Sequence, residues 1–309
     1  NLQLDDYQAL HGWSIEQRAD FWQTLAEFFH VHWHTPPSQV LSEGPQMPDA
    51  QWFANATLNF AEHLLRRRDD RPAVVAVRED GQREVFTHAE LAAQVAGLQT
   101  AFKAVGIVPG DRVAAFMPNT WQTLVAMLAC TSLGAVWSSS SPEFGVHGII
   151  DRFGQIEPKL LIVCAGYEYA GKAIDQVTKV NQVCAQLPGL EQLIVVPHTR
   201  KGTRADEFQA ANVSLWDDFF QPGGEPRFTP LPFDHPLYIL YSSGTTGVPK
   251  CIVHRAGGVL LQHLKEHGLH NDLKADDVLF YYTTCGWMMW NWLASGLAVG
   301  ATLVLYDGS

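Results

Sequence analysis

The sequence predicts an α/β fold that contains two related, mostly parallel sheets flanked by helices. Short β-branched runs alternate with helical patterns from Ala73 onwards, as expected for strands that are joined by helical crossovers. The strand-like runs are almost continuously apolar, which is typical of parallel strands covered on both faces. Of the 309 residues, 47% are hydrophobic, enough to bury a sizeable core.

The first 72 residues predict a helical extension ahead of the sheets. Apolar side chains between Trp13 and His34 recur at three- and four-residue spacings, which indicates an amphipathic helix that ends before Pro36. The stretch 36–49 is rich in Pro, Ser and Gly and predicts a loop.

In the region of alternating patterns, each apolar run predicts a strand and each helical pattern a helix. In chain order we expect strand 73–77, helix 87–105, strand 112–117, helix 121–133, strand 135–140, helix 146–155, strand 160–163, helix 174–187 and strand 193–196. The stretch 198–236 is polar and rich in Pro and Gly, so it predicts an irregular connection.

The last part of the chain repeats this rhythm. We expect a strand at 237–242, a glycine-rich turn, an apolar run at 251–254, a helix from about residue 257 and a strand at 303–307 that runs into a turn. The predicted division is 1–72, 73–236 and 237–309, with related sheet regions near 73–196 and from 237. A strand so close to residue 309 favours a domain that continues beyond it.

Composition excludes several classes of protein. The formal charge of −11, from 21 basic and 32 acidic residues, argues against a nucleic-acid partner. No apolar run reaches the roughly 18 residues of a membrane span, so no membrane partner is expected. The five cysteines are odd in number and form no C-x-x-C pair, which argues against a disulfide framework and favours a reducing cytoplasmic location.

The segment Tyr241 to Lys250, with sequence YSSGTTGVPK, is typical of a phosphate-binding loop. Its glycines permit positive φ and close backbone approach, so that N–H groups can converge on an anion. Four hydroxyls and one ammonium add further donors. It is not a Walker A loop, because Val248 and Pro249 stand between the last glycine and the lysine.

The pattern [YF]-[ST]-S-G-[ST]-T-G-x-P-K resembles the signature of the adenylate-forming superfamily, which contains acyl-CoA synthetases, luciferases and peptide-synthetase adenylation domains. The resemblance implies the N-terminal domain of that fold and a reaction in two halves. A carboxylate attacks the α-phosphorus of ATP, and the acyl-adenylate then passes to a thiol such as that of CoA.

The resemblance also implies roles for individual residues of the loop. Those expected to contact the ATP phosphates are Ser242, Ser243, Gly244, Thr245, Thr246, Gly247 and Lys250. Thr246 and Lys250 are the expected catalytic residues, because charge builds on the leaving pyrophosphate. Mg²⁺ is the implied metal; the resemblance implies that the family's metal-associated Glu lies beyond residue 309, and it implies no metal ligand among these residues.

Two flanking motifs are similar to those of short-chain acyl-CoA and acetoacetyl-CoA synthetases. The first runs from Trp52 to His63, WFANATLNFAEH, and resembles W-F-x-x-A-x-L-N-[YF]-A-E. The resemblance implies that Phe53 and Ala54 contact CoA. Core packing by Trp52, Phe53 and Leu58 is the alternative, and it stays open.

The second motif is TTCGWMMWNW, residues 283–292. The resemblance implies an acyl pocket formed by Trp287, Met288 and Met289, with acetoacetate as the favoured acid and acetate or another short acid as the alternative. Bulky apolar side chains suit a small acyl chain, and Met packs adaptably. For Trp290 and Trp292 a helix start packed in the core remains equally open.

Hypotheses from other classes remain. His263, Glu266 and His267 fit the H-x-x-E-H pattern of a zinc hydrolase, although the polar face of a helix explains them more simply. His30, His32 and His34 alternate as metal ligands can, but His near a helix C-terminus is the simpler account. A non-enzymatic nucleotide-binding relative is the third hypothesis. The later motifs of the family have no counterpart here, so we expect a ligase as the full-length protein and little activity from these 309 residues alone.

Overall fold

The computed structural model describes residues 6–242 and 247–309. Its strands are β1 Gln39–Ser42, β2 Gln51–Ala54, β3 Thr57–Leu58, β4 Pro72–Arg78, β5 Arg83–Thr87, β6 Arg112–Phe116, β7 Val136–Ser140, β8 Leu160–Cys164, β9 Gly166–Tyr169, β10 Lys172–Asp175, β11 Gln192–Val196, β12 Val213–Leu215, β13 Leu231–Pro232, β14 Pro236–Ser242, β15 Lys250–Arg255, β16 Val278–Phe280 and β17 Thr302–Asp307. Its α-helices are α1 Tyr7–Glu16, α2 Arg18–Phe28, α3 Phe60–Leu64, α4 His88–Ala104, α5 Trp121–Ser132, α6 Val146–Ile156, α7 Val177–Cys184, α8 Trp216–Phe219, α9 Ala256–Lys265 and α10 Met288–Ala294.

The larger sheet has seven strands in the order β12-β11-β8-β6-β7-β14-β15. All neighbours are parallel except β14 and β15, which pair antiparallel at one edge. Strands β7, β8 and β11 are buried along their whole length, and β8 and β11 are almost continuously apolar, as expected for parallel strands between two helical layers.

The two faces of this sheet belong to separate hydrophobic clusters. Along β6, Val113 and Ala115 lie in one cluster, whereas Ala114 and Phe116 lie in the other. Side chains alternate between the faces of a strand, so each cluster lies on one side of the sheet. The predicted α/β class, with helices covering both faces, is confirmed.

The smaller sheet has four strands in the order β16-β17-β4-β5. Its central pair joins distant parts of the chain, because Leu303 of β17 is the partner of Val74 of β4. After β5, helix α4 begins with a capping box in which Thr87 and Glu90 each accept from the other's backbone N–H. The smaller sheet has two parallel strand pairs and one antiparallel pair, so both sheets are mostly parallel, as predicted.

The membership of the sheets differs from the order expected along the sequence. Strand β14, expected to open a second sheet region near 237, joins the larger sheet beside β7. Strand β4, expected in the first region, pairs instead with β17 near the end of the chain. Pairing cuts across the boundary at 236/237 because strand partners are set by tertiary packing, which apolar periodicity does not encode.

The N-terminal region is more divided than predicted. The single helix expected from Trp13 to His34 is two helices, interrupted at Gln17, and α2 ends at Phe28. The predicted loop 36–49 contains strand β1, which pairs with β2, and a short 3₁₀ turn at Met47–Asp49.

Two further stretches differ from the prediction. The helix expected at 174–187 is preceded by the hairpin of β9 and β10, so α7 begins only at Val177. The connection 198–236 contains β12, which adds an edge strand to the larger sheet beside β11. These strands are only three or four residues long, too short for a periodic apolar pattern to indicate them.

Candidate active site

The predicted phosphate loop joins two antiparallel strands at the edge of the larger sheet. Ser242 at the end of β14 is the register partner of Lys250 at the start of β15, so residues 243–249 connect them. Gly247 has φ +102°, a conformation that favours glycine. Lys250 is exposed. The phosphate contacts predicted for Ser243, Gly244, Thr245 and Thr246 involve residues outside those that the structure describes.

Helix α6 borders this loop. The side-chain amide of Gln155 donates to the carbonyl of Pro249 at 2.8 Å. One turn earlier, the guanidinium of Arg152 lies 4.3 Å from the ring centroid of Phe144 and 5.8 Å from that of Tyr241, the residue that leads into the loop. Sequence reasoning missed Arg152, since an isolated arginine in an amphipathic helix carries no signal of this position.

Tyr241 is held rigidly at the base of the loop. Its hydroxyl lies 2.9 Å from Oγ of Ser138 on the neighbouring strand β7. Burial raises the pKa of the Tyr241 phenol far above its usual value. The residue is therefore a neutral structural support for the loop and is unsuited to proton transfer at neutral pH.

The segment that carries the predicted acyl pocket lies at the carboxyl end of the larger sheet, the end at which β14 leads into the loop. The hydroxyl of Ser139 donates to the carbonyl of Cys285 at 2.7 Å, and the thiol of Cys285 donates to the carbonyl of Pro118 at 3.2 Å. A Cβ on Gly286 would lie 3.3 Å from the ring of Phe144. These contacts fix residues 285 and 286 against the carboxyl ends of β6 and β7, where ligands bind in open α/β sheets.

The three predicted pocket residues follow directly. Trp287 is 66% exposed and Met288 is 47% exposed, whereas Met289 is partly buried. Exposed large apolar side chains at a sheet edge typically mark a binding surface. The structure thus displays Trp287 and Met288 on the side of the molecule that carries the loop.

Of the two roles left open for Trp290 and Trp292, acyl pocket or core packing, the structure shows packing. Trp290 is buried in the core, and its indole N–H donates to Oδ1 of Asn119 at 2.8 Å. Trp292 is partly buried and donates to Oε2 of Glu266 at 2.9 Å. Both side chains anchor α10 beneath the exposed residues.

Phe53 serves the core, although it also borders a cavity. Its ring is 2% exposed and lies 5.3 Å from that of Trp33 and 4.7 Å from that of Phe233. A cavity of 630 Å³ on its outer side is lined by Phe53, Ala54 and Arg255 among others. The ring itself is therefore unavailable for stacking on a ligand without rearrangement, and contact of Phe53 and Ala54 with CoA stays a prediction.

The H-x-x-E-H residues do not form a zinc site. The Nε2 atom of His267 lies 2.9 Å from the carbonyl of Trp292, and the carboxylate of Glu266 accepts from Gln262 and Trp292. His263 and His267 are buried. Burial, with the neighbouring His267 and His254, lowers the pKa of His263 to about 3. Glu266 and His267, just after α9, bond to Trp292 of α10, so the zinc-hydrolase alternative is not supported.

All five cysteines are unpaired thiols, and four of them are buried. Burial raises the pKa of the Cys184 thiol to about 12, which makes it unreactive. Among the helices that the structure describes, none has both the length and the apolar character needed to cross a membrane.

The fold and the loop at its sheet edge define the class of protein. A family model described as AMP-binding enzyme matches residues 60–309, and one described as the N-terminus of acetyl-coenzyme A synthetase matches residues 7–64. The chain belongs to the AMP-binding enzyme family.

Individual proteins of this family are similar to nearly the whole of this chain. The chain is 52% identical over 306 residues to an acetoacetyl-coenzyme A synthetase of Rhizobium meliloti (strain 1021), covering 98% of this chain and 46% of the relative. It is 43% identical to a malonamoyl-CoA synthetase of Penicillium aethiopicum, covering 99% and 44%. The structure of an acetoacetyl-CoA synthetase from Streptomyces lividans is 46% identical with a TM-score of 0.92, covering 98% and 46%. The chain thus spans about half the length of the relatives it matches.

Proposed function

We propose that the protein containing this chain is an AMP-forming acid–thiol ligase that joins acetoacetate to CoA. The observation that carries the proposal is the similarity to acetoacetyl-CoA synthetases along nearly the whole chain, which includes the phosphate loop and the segment 283–292. The unpaired, buried cysteines support a reducing, cytoplasmic location. Such an enzyme would bring acetoacetate, a ketone body, into lipid metabolism.

The reaction would proceed in two steps that share one site. The acetoacetate carboxylate attacks the α-phosphorus of ATP, which forms acetoacetyl-AMP and releases pyrophosphate. The thiolate of CoA then attacks the acyl carbon, which forms acetoacetyl-CoA and releases AMP. Negative charge grows on the leaving pyrophosphate in the first step, so fixed positive groups there lower the barrier.

We assign this stabilisation to Lys250, Thr246 and the other donors of the loop. Lys250 lies at the start of β15, where register pairing with Ser242 fixes its backbone. Its exposed ammonium is able to meet the β- and γ-phosphates. Mg²⁺ would neutralise further phosphate charge when bound. The loop hydroxyls of the sequence offer oxygen ligands for such an ion.

The acid is assigned from Trp287, Met288 and Met289 together with the relatives. Acetoacetate and malonamate, the acids named by two of the relatives, both carry a carbonyl group at C3. Exposed Trp and Met side chains would contact the short chain, while selection for the C3 carbonyl requires a hydrogen-bond donor. Acetate and other short acids lack this acceptor and are the second candidates.

For CoA we propose the cavity beside Ala54. Ala54 and the guanidinium-bearing Arg255 line it, so an anionic group of CoA would find a cation there. Replacing Ala54 with Phe would narrow the cavity and should raise the KM for CoA without changing ATP–pyrophosphate exchange. An unchanged KM would exclude this cavity as the CoA site and leave the ligase proposal intact.

ATP–pyrophosphate exchange by the full-length protein tests the proposal, with acetoacetate, malonamate, acetate, propionate and butyrate in parallel. Exchange that is fastest with acetoacetate supports both reaction and substrate. Exchange only with another acid keeps the ligase and replaces the substrate. Absence of exchange with every acid, together with ATP binding, would favour the non-enzymatic nucleotide-binding alternative. Residues 1–309 alone should give little exchange.

A further inference from the structure

Three potential metal ligands converge far from the phosphate loop in sequence. One ligand atom from each of His32, His34 and Glu62 lies within 4.8 Å of the other two. Nε2 of His34 is 2.8 Å from Oε2 of Glu62, and Nε2 of His32 is 3.9 Å from Oε1 of Glu62. The rings of His32 and His34 lie 5.1 Å apart between centroids.

The backbone places these side chains on one side of an extended segment. His32 and His34 are two residues apart, a spacing that points side chains the same way in an extended chain. The N–H of His34 donates to the carbonyl of Thr57 at 2.9 Å, next to the isolated bridge between Thr35 and Thr57. The segment is thereby fixed alongside the residues that lead into α3.

Buried polar groups fix the backbone of His32 and of Glu62. The N–H of His32 donates to Nε2 of His63 at 2.9 Å, while Nδ1 of His63 donates to the carbonyl of Asn59 at 2.8 Å. Because Nδ1 of His63 donates to a carbonyl, its Nε2 is the acceptor that fixes the backbone of His32. Asn59 caps α3 by accepting from the N–H of Glu62.

We propose that His32, His34 and Glu62 bind a divalent transition-metal ion of the zinc class, with water at the remaining position. Two imidazoles and one carboxylate form a donor set that suits Zn²⁺. Tetrahedral zinc with bonds of about 2.0–2.1 Å requires ligand atoms about 3.4 Å apart. The side chains are 60%, 26% and 23% exposed, so they have room for the small adjustments that this geometry needs.

Bound metal would act as a clamp on the N-terminal region. His32 and His34 follow α2, whereas Glu62 lies on α3, whose cap residue Asn59 donates to the carbonyls of Ser132 and Thr229 in the body of the fold. An ion that joins these two elements would stabilise their contact, since it binds only the folded arrangement. This proposal does not depend on the ligase proposal.

The test is Zn²⁺ binding to the full-length, chelator-treated protein, measured by competition with a chromophoric chelator. All proteins carry Cys251→Ser, because Cys251 is the partly exposed thiol among the described cysteines. His34→Ala and Glu62→Gln remove one ligand each. His30→Asn is the matched control, because His30 is exposed, lies outside the cluster and has φ +50°, which asparagine tolerates.

We expect the parent protein to bind Zn²⁺ at this site, and each ligand variant to bind about 10-fold more weakly or worse, since even outer partners of a metal contribute 10- to 100-fold. The control should bind like the parent, and Co²⁺ should give tetrahedral absorption bands only in parent and control. Added Zn²⁺ should raise Tm in these two proteins alone.

Equal Zn²⁺ affinity in parent and ligand variants would overturn the proposal, as would a parent that binds no Zn²⁺ at micromolar concentration. Thermal unfolding of the metal-free proteins shows whether a variant folds. If His34→Ala or Glu62→Gln unfolds, His32→Gln replaces it, because that side chain is the most exposed of the three.

Discussion

The indole N–H of Trp290 donates to Oδ1 of Asn119 at 2.8 Å, which joins residues 171 positions apart in the chain. Both residues are buried. Asn119 follows β6 of the larger sheet, and Trp290 lies in α10, within three residues of the exposed Trp287 and Met288. This hydrogen bond therefore fixes the predicted acyl surface to the carboxyl end of the larger sheet, the end at which β14 leads into the phosphate loop.

Replacing Trp290 with Phe should destabilise the fold. It leaves the Asn119 side chain buried without its donor, which costs about 1–3 kcal/mol, in addition to the lost packing of the larger ring. Urea unfolding of the single variants and of Trp290→Phe with Asn119→Ala measures the effect. The double variant should lose less stability than the sum of the single losses. Simple additivity would show that the bond contributes nothing.

Buried strands of the larger sheet could be predicted because each is a short run of mainly apolar residues in the sequence. The apolar runs at 112–117, 160–163 and 193–196 correspond to β6, β8 and β11 within a residue or two. Which strands pair with each other could not be predicted to the same degree. The partnership of Leu303 with Val74 is non-local, and no periodic pattern in either strand specifies the other.

The same distinction applies to the candidate site: residues that are contiguous in the sequence could be predicted, and residues brought together by folding could not. The loop ending at Lys250 could be identified because its residues follow one another in the sequence. Arg152 and Ser139 could not, since their relation to the site arises from the contacts of Arg152 with the Tyr241 ring and of Ser139 with Cys285. Likewise His32 and Glu62 come together only when α3 packs beside the extended segment.

Lys250→Ala should slow adenylation without unfolding the protein. One charge-assisted contact to phosphate contributes about 1.5–3 kcal/mol, which corresponds to roughly 10- to 150-fold in the rate of ATP–pyrophosphate exchange. The side chain is exposed, so stability should change little. Lys201→Ala, at an exposed lysine outside the loop, is the control. If both variants exchange at the parent rate, Lys250 does not contact the phosphates.

Trp287→Ala should alter the choice of acid but hardly affect folding. Its side chain is 66% exposed, and exposed substitutions usually change stability by only about 0.5 kcal/mol. The loss of apolar contact should lower exchange with acetoacetate relative to acetate by about 10-fold, while the KM for ATP stays constant. Trp290→Phe provides the opposite pattern, with reduced stability as its main effect. A constant ratio between the two acids would remove Trp287 from the acyl site.

The buried His263 should make stability depend on pH below neutrality. Burial lowers its pKa in the folded protein to about 3, whereas the unfolded chain has the usual value near 6.5. Above pH 6.5 both states are neutral, and the full stability is present. As the pH falls from about 6.5 towards 3, only the unfolded state takes up the proton, so stability decreases by up to about 1.4 kcal/mol per pH unit.

Urea unfolding between pH 7 and pH 4 of the parent, His263→Leu and His270→Asn tests this linkage. His263→Leu removes the titrating group and should give a shallower decline in the free energy of unfolding towards acid. His270 is exposed, so His270→Asn should follow the parent. Carboxylates titrate in all three proteins, and their contribution cancels in the comparison. Parallel curves for the parent and His263→Leu would mean that His263 becomes protonated in the folded state, because the α9 region opens to admit water.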